Sequence, residues 1–282
     1  MMYYRVVVFL LISCISCTDL KPLPDLSIYQ AINKAGYQRM LTQRIARSYI
    51  SIVVGIDVER HKIHLRESAR MFEQNFLELK KYAPTEKVKD QFRYIQILWS
   101  NYKFIYRDDF TIKNAVVVLK TNNTILEASN EAVKLLEEYI VGKKLYEEET
   151  LQPIDLELAT ILNLSGRQRM LTQRIALYGL ARLYKVGDQT SNMLHYQRSI
   201  GAFTTAYEEL IVCERNTEEL KEEYQIIAKQ WNSLKANWET FLQEPYLRKE
   251  QEKKLPQIIE ETDLLMFSLD KVVSLYEEQK DK

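Results

Sequence analysis

The sequence predicts an all-α protein built as two tandem antiparallel four-helix bundles, and three observations lead there. The chain of 282 residues has only 7 Gly and 6 Pro, which leaves little room for turn-rich β-structure. Leu, Ile, Glu, Lys and Gln fill the long intervals between these breakers, a composition that favours helix. The second observation is a repeat: residues 33–46 read NKAGYQRMLTQRIA and residues 163–176 read NLSGRQRMLTQRIA. They differ only at Lys34/Leu164, Ala35/Ser165 and Tyr37/Arg167. The third is that breakers divide each half into four long helical stretches, and short connections between long helices make antiparallel neighbours.

Taken in order from the N-terminus, Met1 to Arg5 form a short positive segment and Val6 to Ile12 a purely apolar run. Spanning a bilayer takes about 20 apolar residues, so this run suits a secretory signal instead. It ends in Leu11-Ile12-Ser13-Cys14, with Cys17 shortly after. Leu-x-Ser-Cys resembles the lipobox of bacterial lipoproteins, so residues 1–17 are expected to be a lipoprotein-type signal acylated at Cys14 or Cys17. An ordinary cleaved signal or an uncleaved anchor is the alternative. Cys213 is then alone in the mature chain, which excludes a disulfide framework.

The first bundle, residues 26–148, is expected to hold helices over about 26–57, 60–82, 85–106 and 112–145. The second, residues 150–280, is expected to hold them over about 154–186, 190–214, 217–242 and 247–278. Gly55, Pro84, Gly187 and Pro245 separate stretches, and Gly142 and Pro153 mark the seam. Thr85 and Thr217 each precede an acidic first turn, the arrangement that helix N-termini prefer. Weaker echoes extend the repeat. Arg66–Leu79 aligns with Arg198–Leu210, Trp99 with Trp231, and Ile125-Leu126-Glu127 with Ile258-Ile259-Glu260.

On a helical wheel the repeated segment has an ordinary core stripe, Leu41, Ile45 and Ile52. The other face carries Gly36, Arg39, Thr42 and Gln43, and returns as Gly166, Arg169, Thr172 and Gln173. Gly in a helix interior costs roughly 1 kcal/mol against Ala, so its presence in both copies suggests close approach by another helix backbone. A guanidinium is a planar fork suited to carboxylates and small oxyanions. Burying one without a counter-charge is costly, and this face offers no Asp or Glu. An anion, a partner carboxylate or water must compensate. The other reading is that Arg39 and Arg169 reach solvent or a neighbouring carboxylate and only fix the packing.

The pattern N-x-A/S-G-x-Q-R-M-L-T-Q-R-I-A resembles the signature helix of the PilJ-type domain. That is the N-terminal sensor domain of type IV pili methyl-accepting transducers, related to the periplasmic domain of nitrate/nitrite sensor kinases. The resemblance implies a bundle outside the inner membrane that reads a small ligand. It also implies an anion held by Arg39 and Arg169 between two copies of the helix, with Gly36 and Gly166 giving the close approach. Such chains usually continue through a second transmembrane helix into a signalling module. No such helix follows here before Lys282, so the expected role is to bind or present a ligand to an envelope partner. A structural or interaction lipoprotein whose signature helices dock a partner is the alternative.

Other chemistry finds no support. Lys+Arg 39 against Asp+Glu 39 lacks the basic excess that nucleic acid requires. None of the three His lies in the Glu-x-x-His pattern of di-iron bundles. His61, His64 and Glu67 share a helical face, but Arg60, Lys62 and Arg66 around them suggest a solvated surface rather than a metal site. No Gly-rich phosphate loop and no catalytic triad order appears, so neither an enzyme nor a cofactor is expected. Trp99, Trp231 and Trp238 fall in apolar stripes and are expected to pack the core.

Overall fold

The computed structural model describes residues 25–105, 109–146, 155–243 and 252–281. The signal segment with Cys14 and Cys17, the seam at Pro153, and Pro245 lie outside these residues. Among the described residues eight α-helices follow in order: α1 (Ile28–Val53), α2 (Val58–Tyr82), α3 (Glu86–Ile105), α4 (Ile112–Tyr146), α5 (Leu156–Leu183), α6 (Gln189–Ile211), α7 (Glu218–Gln243) and α8 (Leu255–Glu277). A short 3₁₀ turn, Glu278–Asp281, closes the described chain. The all-helical prediction holds.

Local signals set the boundaries. Ser27 and Gln30 form a reciprocal capping box at the start of α1, with Gln30 N donating to Ser27 Oγ at 3.2 Å and Ser27 N to Gln30 Oε1 at 2.9 Å. Thr85 and Thr217 cap α3 and α7 as the sequence predicts, each Oγ1 accepting a backbone N–H at 3.3 Å. Gly55 and Gly187 turn the chain with φ of +80° and +73°, a conformation that side-chain-bearing residues resist.

In the first half α1 packs on α2 and α4, and α3 joins α2 to α4. In the second α5 packs on α6 and α8, and α7 joins α6 to α8. Each set of four is therefore a bundle of antiparallel neighbours. The two bundles stand side by side through an extensive α1–α5 contact, and their buried apolar residues form one cluster. Near the N-terminal ends of α1 and α5, Asp155 N donates to Tyr29 Oη at 2.7 Å. Further along both helices, Arg174 Nη1 donates to Gln43 Oε1 at 3.0 Å. The pair accordingly runs parallel, although neighbours within each bundle run antiparallel.

Enclosure on three sides explains why α1 and α5 are buried nearly all round. The repeat is visible in the packing: Phe72 stacks on Trp99 at 4.1 Å between centroids, and Phe203 on Trp231 at 4.0 Å. Trp238 is fully buried, as expected. One alignment is corrected. The buried run Ala115, Val118, Leu119, Asn122 of α4 corresponds to Leu255, Ile258, Ile259, Thr262 of α8. Ile125 thus matches Leu265, and the pairing of Ile125-Leu126-Glu127 with Ile258-Ile259-Glu260 was two helical turns out. Both helices carry apolar pairs at helical spacing, so sequence alone allows either register.

Candidate functional site

The repeated Gln-Arg pair is placed by the surroundings of α1 and α5. Gln38 Nε2 donates to Phe72 O at 2.9 Å and Gln168 Nε2 to Phe203 O at 3.0 Å, tying each signature helix to the helix after it. The neighbouring arginines then point into the α1–α5 seam. Arg39 is 4 % exposed and Arg169 2 %. Their contacts are reciprocal. Arg39 Nη2 donates to Asn163 Oδ1 at 2.7 Å, and Arg169 Nη2 to Asn33 Oδ1 at 2.8 Å. Each copy's Arg thereby holds the other copy's Asn, which places a pseudo-two-fold axis between the helices. The asparagines are steadied by carboxylates: Asn163 Nδ2 donates to Glu137 at 2.7 Å and Asn33 Nδ2 to Glu277 at 2.5 Å.

The symmetry breaks at the other guanidinium nitrogen. Arg169 Nη1 pairs with Asp270 Oδ1 at 2.5 Å, whereas Arg39 Nη1 meets only the neutral Asn130 Oδ1 at 3.5 Å. Burial, and then the charges of Arg167 and Arg169, lower the Arg39 pKa to about 9, while Glu137 partly offsets them. Arg169 also lies 5.1 Å from the centroid of the Tyr37 ring. A cleft of about 640 Å³ opens beside it, lined by Asn33, Lys34, Tyr37, Asp270 and Lys271. The two lysines are committed to Glu78 and Glu223, at 3.0 and 2.9 Å.

The remaining expected site residues divide. A Cβ on Gly36 would meet Arg39 Nη2 at 3.3 Å and Arg169 Nη2 at 3.8 Å, and on Gly166 it would meet Arg169 Nη2 at 3.2 Å. The glycines therefore make room for guanidinium groups, not for an approaching backbone, which corrects the reason inferred from sequence. Thr42 and Thr172 hydroxyls donate to carbonyls of their own helix, Arg39 O at 2.8 Å and Gln168 O at 2.9 Å. Gln43 Nε2 donates to Asn122 Oδ1 at 3.2 Å, but both amide atoms of the buried Gln173 lack a protein partner.

Sequence reasoning missed Asn33 and Asn163, although both belong to the repeated segment. It missed Asn130 and Asp270, which lie on α4 and α8, far from the repeated segment in sequence. It also placed His61 and His64 on a solvated face. The structure corrects this: His61 is 1 % exposed and both residues face Arg47 and Asp263. Among the described residues no group of three His, Cys, Asp or Glu could hold a metal ion.

Two bundles joined by a parallel pair of identical-motif helices, with interlocked buried arginines at the joint, define a duplicated helical sensor-type module. The family model described as the type IV pili methyl-accepting chemotaxis transducer N-terminal domain, PilJ, matches residues 27–105 and 155–253. The chain belongs to this family, in two tandem copies. The matches cover α1–α3 in one copy and α5–α7 in the other. No curated protein and no solved structure matches.

Proposed function

We propose that this protein is an extracytoplasmic sensor-type binding protein, lipid-anchored through Cys14 or Cys17, that takes a small nitrate- or nitrite-like oxyanion at Arg39 and Arg169. The observation that carries this reading is the buried Arg39 guanidinium, which meets only neutral oxygens while two further cations, Arg167 and Arg169, crowd it. Such a group is stabilised by an anion that brings charge and acceptors together. The cleft beside Arg169 supplies a path, and the amide donors of Asn33 and Asn163 lie next to the guanidinium groups, able to serve the oxyanion if they turn from Glu277 and Glu137. Two copies in one chain would supply the paired helices that a dimer otherwise provides. Among the described residues no helix is long and apolar enough to cross a membrane, so the proposed attachment rests on the N-terminal segment.

A second reading is favoured by one contact. Asp270 already neutralises Arg169, as it would if the arginines served only to lock the two copies for an interaction lipoprotein that docks an envelope partner. Isothermal titration with nitrate, nitrite and small carboxylates decides between them, using wild type and the Arg39→Ala/Arg169→Ala double variant. Saturable binding that the variant loses is the expected result. Absence of binding, or equal binding by the variant, leaves the interaction reading.

A further inference from the structure

The C-terminal half of α1 meets α2 and α8 in a second polar layer, with Arg47 about 12 Å along α1 from Arg39. Arg47 is 0 % exposed. Its Nη2 donates to Asp263 Oδ1 at 2.9 Å, but its Nε and Nη1 are buried without a protein acceptor. Both ring nitrogens of His61, the Nδ1 of His64, the Nε of Arg44 and the hydroxyls of Ser48 and Ser51 share that condition. Asp263 Oδ2 has no hydrogen-bond donor either, with His64 Nδ1 at 3.8 Å and Arg60 Nη2 at 3.9 Å. So many unpartnered polar atoms in one buried place require explanation, since native interiors hold few.

The second copy is an internal control. Arg44, Arg47, Ser48, Ser51, His61, His64 and Asp263 correspond there to Arg174, Leu177, Tyr178, Ala181, Asn192, His195 and Asn123. Arg174 donates to Gln43 Oε1 at 3.0 Å and Asn123 Oδ1 at 2.9 Å, and lies 3.0 Å from His195 Nδ1. Tyr178 Oη donates to Asn123 Oδ1 at 2.8 Å, its ring 4.7 Å from His195. Asn192 Nδ2 donates to Val186 O at 2.7 Å. The same place in the fold is closed by its own side chains in one copy and left with open donors in the other.

The open atoms are mostly donors, Asp263 Oδ2 and one His61 ring nitrogen being the exceptions, and so favour a negative ligand. Guanidinium N–H groups only donate, and hydroxyls and a neutral imidazole can donate as well. Charged groups facing the layer are Arg44 and Arg47 from α1, Arg60 from α2 and Asp263 from α8, three cations to one anion. We propose that this layer is a second anion site, particular to the first copy, that takes a small monovalent anion such as chloride or nitrate against Arg47 and His61. It is separate from the Arg39–Arg169 site and stands or falls independently of it.

The three imidazoles allow a direct test by NMR on the full protein, with sodium chloride or sodium nitrate titrated against sodium gluconate at constant ionic strength. Expected are saturable shifts of the His61 and His64 resonances, a rise in the His61 titration midpoint with bound anion, and an unmoved His195. Arg47→Leu, which installs the second copy's residue, should abolish the response. His61→Asn does the same for the second copy's asparagine, with His64 as reporter should the first variant not fold. Unresponsive His61 and His64 resonances, shifts shared by His195, or a response undiminished in both variants overturns the proposal. The Arg39→Gln/Arg169→Gln variant should retain the His61 response, and its loss there would show a signal relayed from the other site and equally overturn it.

Discussion

Asn130 and Asp270 occupy the same position in the two copies, one facing Arg39 and the other Arg169 across the end of the α1–α5 seam. That single difference leaves one buried guanidinium with a carboxylate and the other with an amide. It also gives a handle on the charge of the seam. Asn130→Asp should raise stability by about 0.5–1.5 kcal/mol, the lower part being favoured because residue 130 is exposed. The same change should weaken oxyanion binding by supplying the charge internally. Thermal unfolding beside anion titration checks both. A variant that gains stability while keeping full affinity would separate the binding site from Arg39. The reverse change, Asp270→Asn, should cost about 1–3 kcal/mol by leaving Arg169 short of a charged acceptor.

Much of this was legible in the sequence. The repeated NxxGxQRMLTQRIA segment marked the helices that meet, and Thr85, Thr217, Gly55 and Gly187 marked the ends of others. The reason is physical: caps and turns act within a few residues. What faces Arg39 and Arg169 was not legible, because Asn163, Asn33, Asp270 and Asn130 are 90 or more residues distant. The α1–α5 packing brings the first two there, and the packing of α8 and α4 the other two. The polar layer at His61 was hidden for the same reason. Arg60, Lys62 and Arg66 suggested solvent, while α8 from the other half covers the imidazole.

Gly36 and Gly166 make room for guanidinium groups, so their replacement should act on binding more than on folding. Ala in a helix interior gains roughly 1 kcal/mol over Gly. Against that, a methyl group at 3.3 or 3.2 Å from an Nη2 must displace the fork. Gly36→Ala and Gly166→Ala should each leave the melting temperature nearly unchanged and lower oxyanion affinity. Loss of stability without loss of affinity would return the glycines to a packing role.

Gly179 should behave in the opposite way. Its Cβ would fall 2.6 Å from Cε3 and Cζ3 of Trp238, a ring with 0 % exposure that has nowhere to move. Overpacking of this kind typically costs about 1–3 kcal/mol, more than the roughly 1 kcal/mol of helix propensity that Ala returns. Gly179→Ala should therefore lower the melting temperature, and Trp238→Phe in addition should recover part of the loss. Chemical denaturation followed by circular dichroism checks the order of the three stabilities.

Stability should fall on acidification through the histidines of the first copy. Burial first, and then the charge of Arg47, hold His61 down to about 3. Burial and then Arg44 hold His64 down to about 4. An unfolded histidine titrates near 6.5, so below that pH the unfolded chain takes up protons that the folded one refuses. Stability therefore rises with pH between about 4 and 6.5 and is flat above, with at most about 1.4 kcal/mol per pH unit from each imidazole. The partial exposure of His64 reduces its share. His61→Asn removes one of these protons, and the second copy tolerates Asn192 at the same place. Its unfolding free energy, plotted from pH 7 to 4, should fall less steeply than that of wild type. Parallel curves would mean that His61 is protonated in the folded protein, and that water reaches the layer between Arg47 and Asp263.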